Sequence, residues 1–197
     1  SPSDDCPIHF VSWYVAAEYC NWLSKQEGIA EDQWVYLPND QSQFADGMKI
    51  KKDAHSLAGY RLPTSAEWEY ACRAGTRTSY AFGEPIALID RYAYYVYNAQ
   101  GRAHPPGGLL PNEFGLFNMH GNVWEWCEDV FRGDAYKYFK KQGIVKNPIY
   151  DGSGSDRVYR GGSWSYDAGD VRVANRDWVS PVFADFVLGF RLLMTAD

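Results

Sequence analysis

The sequence predicts an α+β domain in which two helices and a few short strands are joined by long irregular loops. Helix patterns lie at residues 11–24 and 64–73, and most of the strand patterns follow them. With 197 residues, 46% of them hydrophobic and 17% aromatic, the chain is expected to form one domain over residues 1–197 with a substantial core. The sequence contains no internal repeat, low-complexity tract or linker that would divide it.

The first predicted helix rests on apolar residues that recur at spacings of three and four, as on the buried face of an amphipathic helix. They are Trp13, Ala16, Ala17, Cys20 and Leu23. Ser12 is the expected N-cap and Gly28 the expected stop. Residues 31–58 are rich in turn formers and predict a loop with short strands at 34–37 and near Met48.

The second predicted helix opens with a capping box. Glu67 follows Thr64 by three residues, so each side chain is expected to accept the other's backbone N–H. The helix should run to about Arg73, end at Gly75 and bury Trp68 and Cys72. A loop-rich stretch, residues 76–120, comes next.

Strand patterns dominate the C-terminal part. Residues 123–130 (VWEWCEDV) alternate as in a half-buried strand, and residues 132–156 are interpreted as a long polar connection. Two short apolar strands, 157–164 and 188–194, bracket the segment 165–187. We expect these two strands to be neighbours, which would gather the bracketed segment on one face.

Composition excludes several classes of function. A formal net charge of −6 argues against non-specific nucleic-acid binding. No apolar run approaches the roughly 20 residues of a membrane helix. The four cysteines form no Cys-x-x-Cys pair and the histidines are scattered, so a zinc site is not expected. The polar start, residues 1–7, resembles no signal peptide and suggests that an upstream domain precedes the chain.

Four stretches, in order and over nearly the whole chain, resemble the formylglycine-generating-enzyme (sulfatase-modifying-factor) domain family. They are VSW and CNWL within 11–23, YRLPT and EWEYA within 60–71, NEFGLFNMHGNVWEW at 112–126, and RGGSW at 160–164 with LGFR at 188–191. Each motif alone is weak, but the four in this order are specific. The resemblance implies a C-type-lectin-like fold of the formylglycine-generating-enzyme subtype.

These motifs also have structural interpretations. Arg61 and Arg191 are expected to brace loops through bidentate hydrogen bonds, and Trp124 and Trp126 to lie in the core. The Gly161-Gly162 pair permits close packing or positive φ. His120 is interpreted as a structural histidine.

The resemblance also raises the question of a metal. In the family, the Gly-Asn-x-Trp-Glu-Trp stretch can bind calcium, which makes Asn122 and Glu125 candidate calcium ligands. No other cofactor is expected to be required.

The resemblance does not extend to the enzyme's reactive cysteines. Family members that oxidise a substrate cysteine use two cysteines, with copper, a few residues after the Gly-Gly-Ser-aromatic motif. The last cysteine of this chain is Cys127, and residues 165–171 contain no thiol. Copper(I) chemistry needs soft thiolate ligands. We therefore expect the fold without the enzyme activity.

The segment 165–187 departs from the rest of the chain. A regular frame, including Ala174-Asn175-Arg176 and Pro181, alternates with residues that follow neither strand nor helix periodicity. This layout resembles the variable region of proteins diversified by retroelements, in which adenines of Asn codons are scrambled. The candidate ligand-binding residues are Ser165, Tyr166, Asp167, Asp170, Asp177, Trp178, Val179, Ser180, Val182, Phe183, Asp185, Phe186 and Val187.

Trp178 differs from the other candidates, because a scrambled Asn codon cannot encode tryptophan. It either varied differently or belongs to the frame. Aromatic and small polar residues together are typical of surfaces that bind proteins.

The first functional hypothesis is therefore a non-catalytic bacterial module whose segment 165–187 binds a variable protein or other macromolecular ligand. Two alternatives remain: a formylglycine-generating-type copper oxidase and an unvaried regulatory domain of a kinase-type fusion. The ligand, the cellular compartment and the oligomeric state are not encoded in any motif.

Overall fold

The computed structural model describes residues 3–143 and 145–195, so the first residues of the polar start lie outside it. Within these described residues, three α-helices and eight β-strands alternate with long loops and three short 3-10 helices. In chain order the elements are α1 (Trp13–Gln26), β1 (Tyr36–Leu37), β2 (Lys49–Ile50), α2 (Ser65–Arg73), β3 (Ala93–Tyr94), β4 (His120–Gly121), β5 (Trp124–Val130), α3 (Ala135–Gln142), β6 (Arg157–Arg160), β7 (Arg176–Val179) and β8 (Leu188–Gly189).

The first two helices begin at the predicted N-caps. The Ser12 side chain accepts the Val15 N–H at 3.2 Å. The Thr64 hydroxyl accepts the Glu67 N–H at 3.1 Å, and the Thr64 N–H donates to the Glu67 carboxylate at 2.8 Å. The capping box is thus confirmed, and it holds α2 against β5 and β6.

The third helix, α3, corrects the expectation of two helices. It lies inside residues 132–156, which the sequence suggested to be an irregular connection. Its N-cap, Asp134, makes no side-chain capping bond, and Ala135 is its one buried residue. Its apolar pattern, Ala135 with Tyr138 and Phe139, covers only eight residues and no capping bond marks its start, so its sequence carries a short helix signal that is easily missed.

The main sheet has four strands in the order β7-β6-β5-β8. The predicted neighbours β6 and β8 are not paired, because β5 lies between them, antiparallel to β6 and parallel to β8. Every residue of β5 is buried, so this strand is covered on both faces and is not the half-buried strand that its alternation suggested. A central position between two strands is consistent with that burial.

The two faces of the sheet pack against different helices. Trp124 and Trp126 lie with Trp13 and Ala17 in the larger core cluster, on the α1 side. On the other side Cys127 packs with α2 residues in a second cluster. Both tryptophans are core residues, as predicted.

Both predicted arginine braces are present. Arg61 makes two hydrogen bonds of 2.7 Å to the carboxylate of Glu67. Arg191 makes bonds of 2.6 and 2.7 Å to Glu125 on β5. The first brace fixes the entry to α2, and the second fixes the chain that leaves β8.

Candidate binding surface

The segment 165–187 leaves β6 through two glycines that have no room for a side chain. Gly161 and Gly162 have φ values of +100° and +76°, and a Cβ at Gly162 would lie 2.5 Å from Val171. The chain then turns back and forms β7, an edge strand paired antiparallel with β6. The sequence did not predict this strand, because an edge strand with one neighbour needs no regular apolar alternation.

Backbone hydrogen bonds attach this segment to the rest of the fold. The Val96 N–H donates to the Tyr166 carbonyl at 3.0 Å. The Phe10 and Trp13 N–H groups donate to the carbonyls of Asp185 and Pro181 at 2.9 and 3.0 Å. Three residues of the segment, Tyr166, Pro181 and Asp185, are thus linked to other elements through their main-chain carbonyls, and these three bonds do not use their side chains.

Most of the candidate residues face solvent. Those in the exposed class are Ser165, Tyr166, Asp167, Trp178, Val182, Phe183 and Phe186, and those of intermediate exposure are Asp170, Asp177, Val179, Ser180 and Asp185. Val187 is the exception at 8% exposure: it packs in the α1-side core beside Leu188. The expectation that Val187 forms part of the surface is therefore wrong.

Two of the exposed rings contact other aromatic rings. Tyr166 makes a T-shaped contact with the buried Trp124, with ring centroids 5.4 Å apart. Phe186 contacts the partly buried Trp164 at 5.6 Å and the exposed Phe10 at 6.2 Å. These contacts restrict the exposed rings before binding, which limits the conformational entropy that is lost when a partner binds.

Trp178 does not belong to this patch. Residues that pair directly across two strands share a face of the sheet. Trp178 pairs with Val158 and its neighbour Asp177 pairs with Tyr159, so Trp178 and Asp177 lie on opposite faces. Trp178 therefore lies on the α2 side, where it stacks on Phe131 at 3.7 Å and 11°. The predicted single patch is wrong for this residue: the candidate residues divide between two faces at the edge strand.

The patch around Tyr166 is negatively charged. Asp167, Asp177 and Asp185 each use Oδ1 to accept a backbone N–H, at 2.7, 2.9 and 3.2 Å, which orients the carboxylates. Burial, and then Asp177, Asp185 and Asp170, raise the pKa of Tyr166. The same surroundings raise the pKa of Tyr159 on β6, mainly by burial and by Asp177.

Tyr159 is a residue of this site that the sequence analysis missed. It lies on β6 between Val158 and Arg160, and its ring contacts both Trp124 and Trp126, at 5.0 and 5.9 Å. Phe10 was missed as well, because it precedes α1 and is distant in sequence from Phe186. Only the tertiary pairing of these residues reveals them.

The two candidate calcium ligands are engaged elsewhere. The Asn122 side chain accepts the His104 N–H and donates to the His104 carbonyl, both at 2.9 Å. Both Glu125 oxygens accept hydrogen bonds, from Arg191 and from the Trp68 indole. A calcium ion at these side chains would have to displace those donors, so the calcium site stays a prediction that this geometry does not favour.

His120 has the structural role expected for it. Its Nδ1–H donates to the Val171 carbonyl at 2.7 Å, and its Nε2 accepts the Ala81 N–H at 3.1 Å. An amide can only donate and a carbonyl can only accept, so these partners fix the neutral tautomer. Burial lowers the pKa of His120 to about 4.

Three of the four thiols are buried, and Cys6 is of intermediate exposure. Cys20, Cys72 and Cys127 are fully buried, and burial raises the pKa of each. A thiolate is the form that binds copper and attacks substrates, and these groups are held in the thiol form. They have the buried, apolar character that the sequence suggested.

Two cavities lie away from the variable residues. One, of about 450 Å³, opens between α2 and α3 over Glu69 and Arg160. The other, of about 650 Å³, is an apolar groove along Val15, Tyr19 and Phe190. Neither is lined by any of the thirteen candidate residues. No described helix is long and apolar enough to span a lipid bilayer.

The chain is similar to known proteins over nearly its whole length. The family model of the sulfatase-modifying factor enzyme 1-like domain matches residues 1–196. The formylglycine-generating enzyme of Streptomyces coelicolor is 38% identical over 158 residues, which cover 71% of this chain and 48% of that enzyme. The serine/threonine-protein kinase pkn1 of Chlamydia pneumoniae is 28% identical over 186 residues, which cover 94% of this chain and 23% of the kinase. The chain thus spans about half of the first relative and a quarter of the second.

A solved structure has the same fold. Treponema denticola variable protein 1 matches with a TM-score of 0.85 and 29% identity, over 98% of this chain and 72% of that one. The C-type-lectin-like fold of the formylglycine-generating-enzyme type, expected from the sequence motifs, is confirmed by this match and by the family model.

Proposed function

The chain belongs to the sulfatase-modifying factor enzyme 1-like family, and we propose that it is a non-catalytic binding module whose segment 165–187 is diversified to recognise protein ligands. One observation carries the proposal: side chains at the irregular positions face solvent, while main-chain bonds hold the segment in place. Such a surface tolerates changes of side chain without a change of fold. The similarity to a Treponema denticola variable protein supports the same function.

The residues of the chain do not favour the oxidase alternative. No cysteine follows Cys127 in the sequence, and three of the four thiols are buried. A copper centre of the family type would require thiolates near residues 165–171. The direct test is to incubate the purified domain with copper(I) and a cysteine-containing peptide, and to look for formylglycine by mass spectrometry. Copper-dependent turnover would overturn the proposal.

The binding claim is tested with two display libraries of the folded domain. One randomises Tyr166, Asp167, Phe183 and Phe186. The control library randomises four comparably exposed residues elsewhere: Tyr70, Ile86, Tyr97 and Phe114. Both are selected against one panel of purified proteins. We expect specific binders from the first library and few or none from the control. Equal yields, or a first library that is mostly unfolded, would contradict the proposal.

The diversification claim is tested in the DNA. A retroelement origin requires a near-copy of the codons for 165–187, with Asn codons at the differing positions, beside a reverse-transcriptase gene. A second candidate function is a regulatory domain fused to a kinase, which the similarity to the Chlamydia pneumoniae kinase favours. A kinase reading frame upstream and no template copy would support that candidate instead.

A further inference from the structure

The patch around Tyr166 has an unbalanced negative charge. Asp170, Asp177 and Asp185 act electrostatically on Tyr166, and Asp167, the next residue in the chain, acts on Asp170. None of the four forms an ion pair within the residues that the structure describes. The cation that acts on Asp170 is Arg172, whose Nε is committed to the Gly169 carbonyl at 2.8 Å.

These carboxylates are spread too widely for a metal ion. In the described part of the chain, no three carboxylates, histidines or cysteines lie together in a group that could hold one. A cation that can approach several of these carboxylates must be larger than a metal ion and must be carried by a flexible side chain. Lysine ammonium and arginine guanidinium groups fit this requirement.

Aromatic rings line the same place. Tyr166 and Tyr159 stand between the carboxylates, with Trp124 beneath them. Cations are attracted to the faces of such rings, and the attraction adds to that of nearby carboxylates. Since the carboxylates are oriented by backbone N–H groups, little rearrangement is needed to receive a cation.

A buried polar atom beneath Tyr166 is also unsatisfied. Trp124 is 2% exposed, and its Nε1–H makes no hydrogen bond of acceptable geometry within the described residues. The Tyr166 hydroxyl is its nearby polar group, since the Trp124 indole opposes the rise in the pKa of Tyr166. The two rings make a T-shaped contact, with centroids 5.4 Å apart. A buried N–H without an acceptor is costly, so a ligand that brings a carbonyl oxygen here, or moves the Tyr166 hydroxyl onto Nε1, gains that energy.

We propose that the ligand of this chain is a protein that inserts a basic side chain, lysine or arginine, between Tyr166 and the surrounding aspartates. The inference rests on the proposed binding function and names the chemistry of its partner. A peptide segment offers both required groups: a cation for the carboxylates and a backbone carbonyl for the Trp124 indole. An acidic ligand could accept from the indole, but it would meet four like charges.

The experiment uses random 12-residue peptides displayed on phage and selected on the folded domain. The test variant is Asp177→Asn/Asp185→Asn, which keeps side-chain shape. The control variant, Glu31→Gln/Asp32→Asn, removes the same two charges at exposed residues before β1. We expect enrichment of Lys and Arg, affinity that falls with salt, and a loss of about tenfold per aspartate in the test variant alone. The Trp124 indole NMR signal should shift on binding.

The outcomes separate the two proposals. Peptides that need Tyr166 and Phe186, as shown by serine substitutions, but carry no excess of basic residues would overturn the inference and leave the binding surface in place. If both charge variants weaken binding equally, the attraction comes from net charge. That result would also overturn the inference and leave the binding surface in place. If no selected peptide depends on Tyr166 or Phe186, or none is selected, both proposals fail.

Discussion

Replacement of Glu128 by Gln should remove a loss of stability that the domain otherwise shows as pH rises from 4.5 to 8. Glu128 is 1% exposed on β5, and its Oε1 has no hydrogen-bond partner within the described residues. Its Oε2 accepts the Tyr36 hydroxyl at 3.4 Å. Burial raises the pKa of Glu128 from 4.5 to about 7, against the opposing effect of Arg61. The folded state therefore holds this proton more tightly than the unfolded state.

The size of the effect follows from that difference. Below pH 4.5 the carboxyl is protonated in both states, and its contribution to the free energy of unfolding is fully present. As pH rises towards 7 the unfolded state ionises first, so stability falls, by about 3 kcal/mol in total. Glutamine cannot ionise and keeps the shape and the contact to Tyr36. The variant should match the wild type near pH 4.5 and exceed it by up to about 3 kcal/mol at pH 8.

Urea unfolding followed by tryptophan fluorescence, from pH 4.5 to 8, measures this difference. His120 has the opposite effect: burial lowers its pKa from 6.5 to about 4, so its contribution is present above pH 6.5 and is lost as pH falls. In the wild type these two contributions to the slope oppose each other, and the variant removes the Glu128 contribution and leaves that of His120. If the two proteins differ by a constant amount at every pH, or the variant is weaker at pH 8, the reasoning about Glu128 is refuted.

Three further variants test the surface and its support. The change Phe183→Ser/Phe186→Ser should lower stability by less than about 1 kcal/mol, because both rings are exposed; a larger loss in a thermal melt would place them in the core. Arg191→Ala should cost about 3 kcal/mol in urea unfolding, since it leaves the buried Glu125 carboxylate without its cation; a loss below 1 kcal/mol would mean that water replaces the brace. Trp178→Ala should leave the affinity of a peptide bound at Tyr166 within about twofold in calorimetry, because it lies on the other face of the sheet; a tenfold loss would show that the faces act together.

The elements that could be predicted from the sequence are those with local signals. Ser12 and the Thr64–Glu67 pair fix helix starts through contacts within three residues, and spacing alone reveals them. The family motifs predicted the fold, because four motifs in the family's order extend over nearly the whole chain. Arg61 and Arg191 could be predicted as braces, since a buried guanidinium requires a fixed partner.

The order of the strands could not be predicted, since it depends on contacts between distant segments. Residues 157–164 and 188–194 bracket one excursion, and this suggested direct pairing. The structure places β5 between them, with Trp124 and Trp126 buried on one face and Cys127 on the other, so the strand is covered on both sides. The alternation of large and charged residues on β5 predicted that one face of the strand is exposed. Glu125 is nevertheless buried, because it is paired with Arg191.

Trp178 illustrates how codon chemistry and structure combine. A scrambled Asn codon cannot encode tryptophan, so the sequence left its origin open. In the structure it lies on the α2 side, stacked on Phe131, and takes no part in the patch around Tyr166. Both observations favour Trp178 as part of the regular frame and not as one of the variable positions. Val187 is a converse case: its codon permits variation, but its side chain lies in the core, where many substitutions would be costly.

A surface can be diversified only if its backbone does not depend on the side chains that change. In this chain the segment 165–187 is held by main-chain groups of Tyr166, Pro181 and Asp185, and by β7 pairing with β6. Such bonds are indifferent to the side chain at the bonded residue, provided that it tolerates the local φ and ψ. Some side chains that support the segment, such as Trp124, come from other elements, and others, such as Asn175, belong to its regular frame. The proposed diversification requires this separation, because it would place an acidic, aromatic patch in this chain and a different chemistry in another version of it on the same fold.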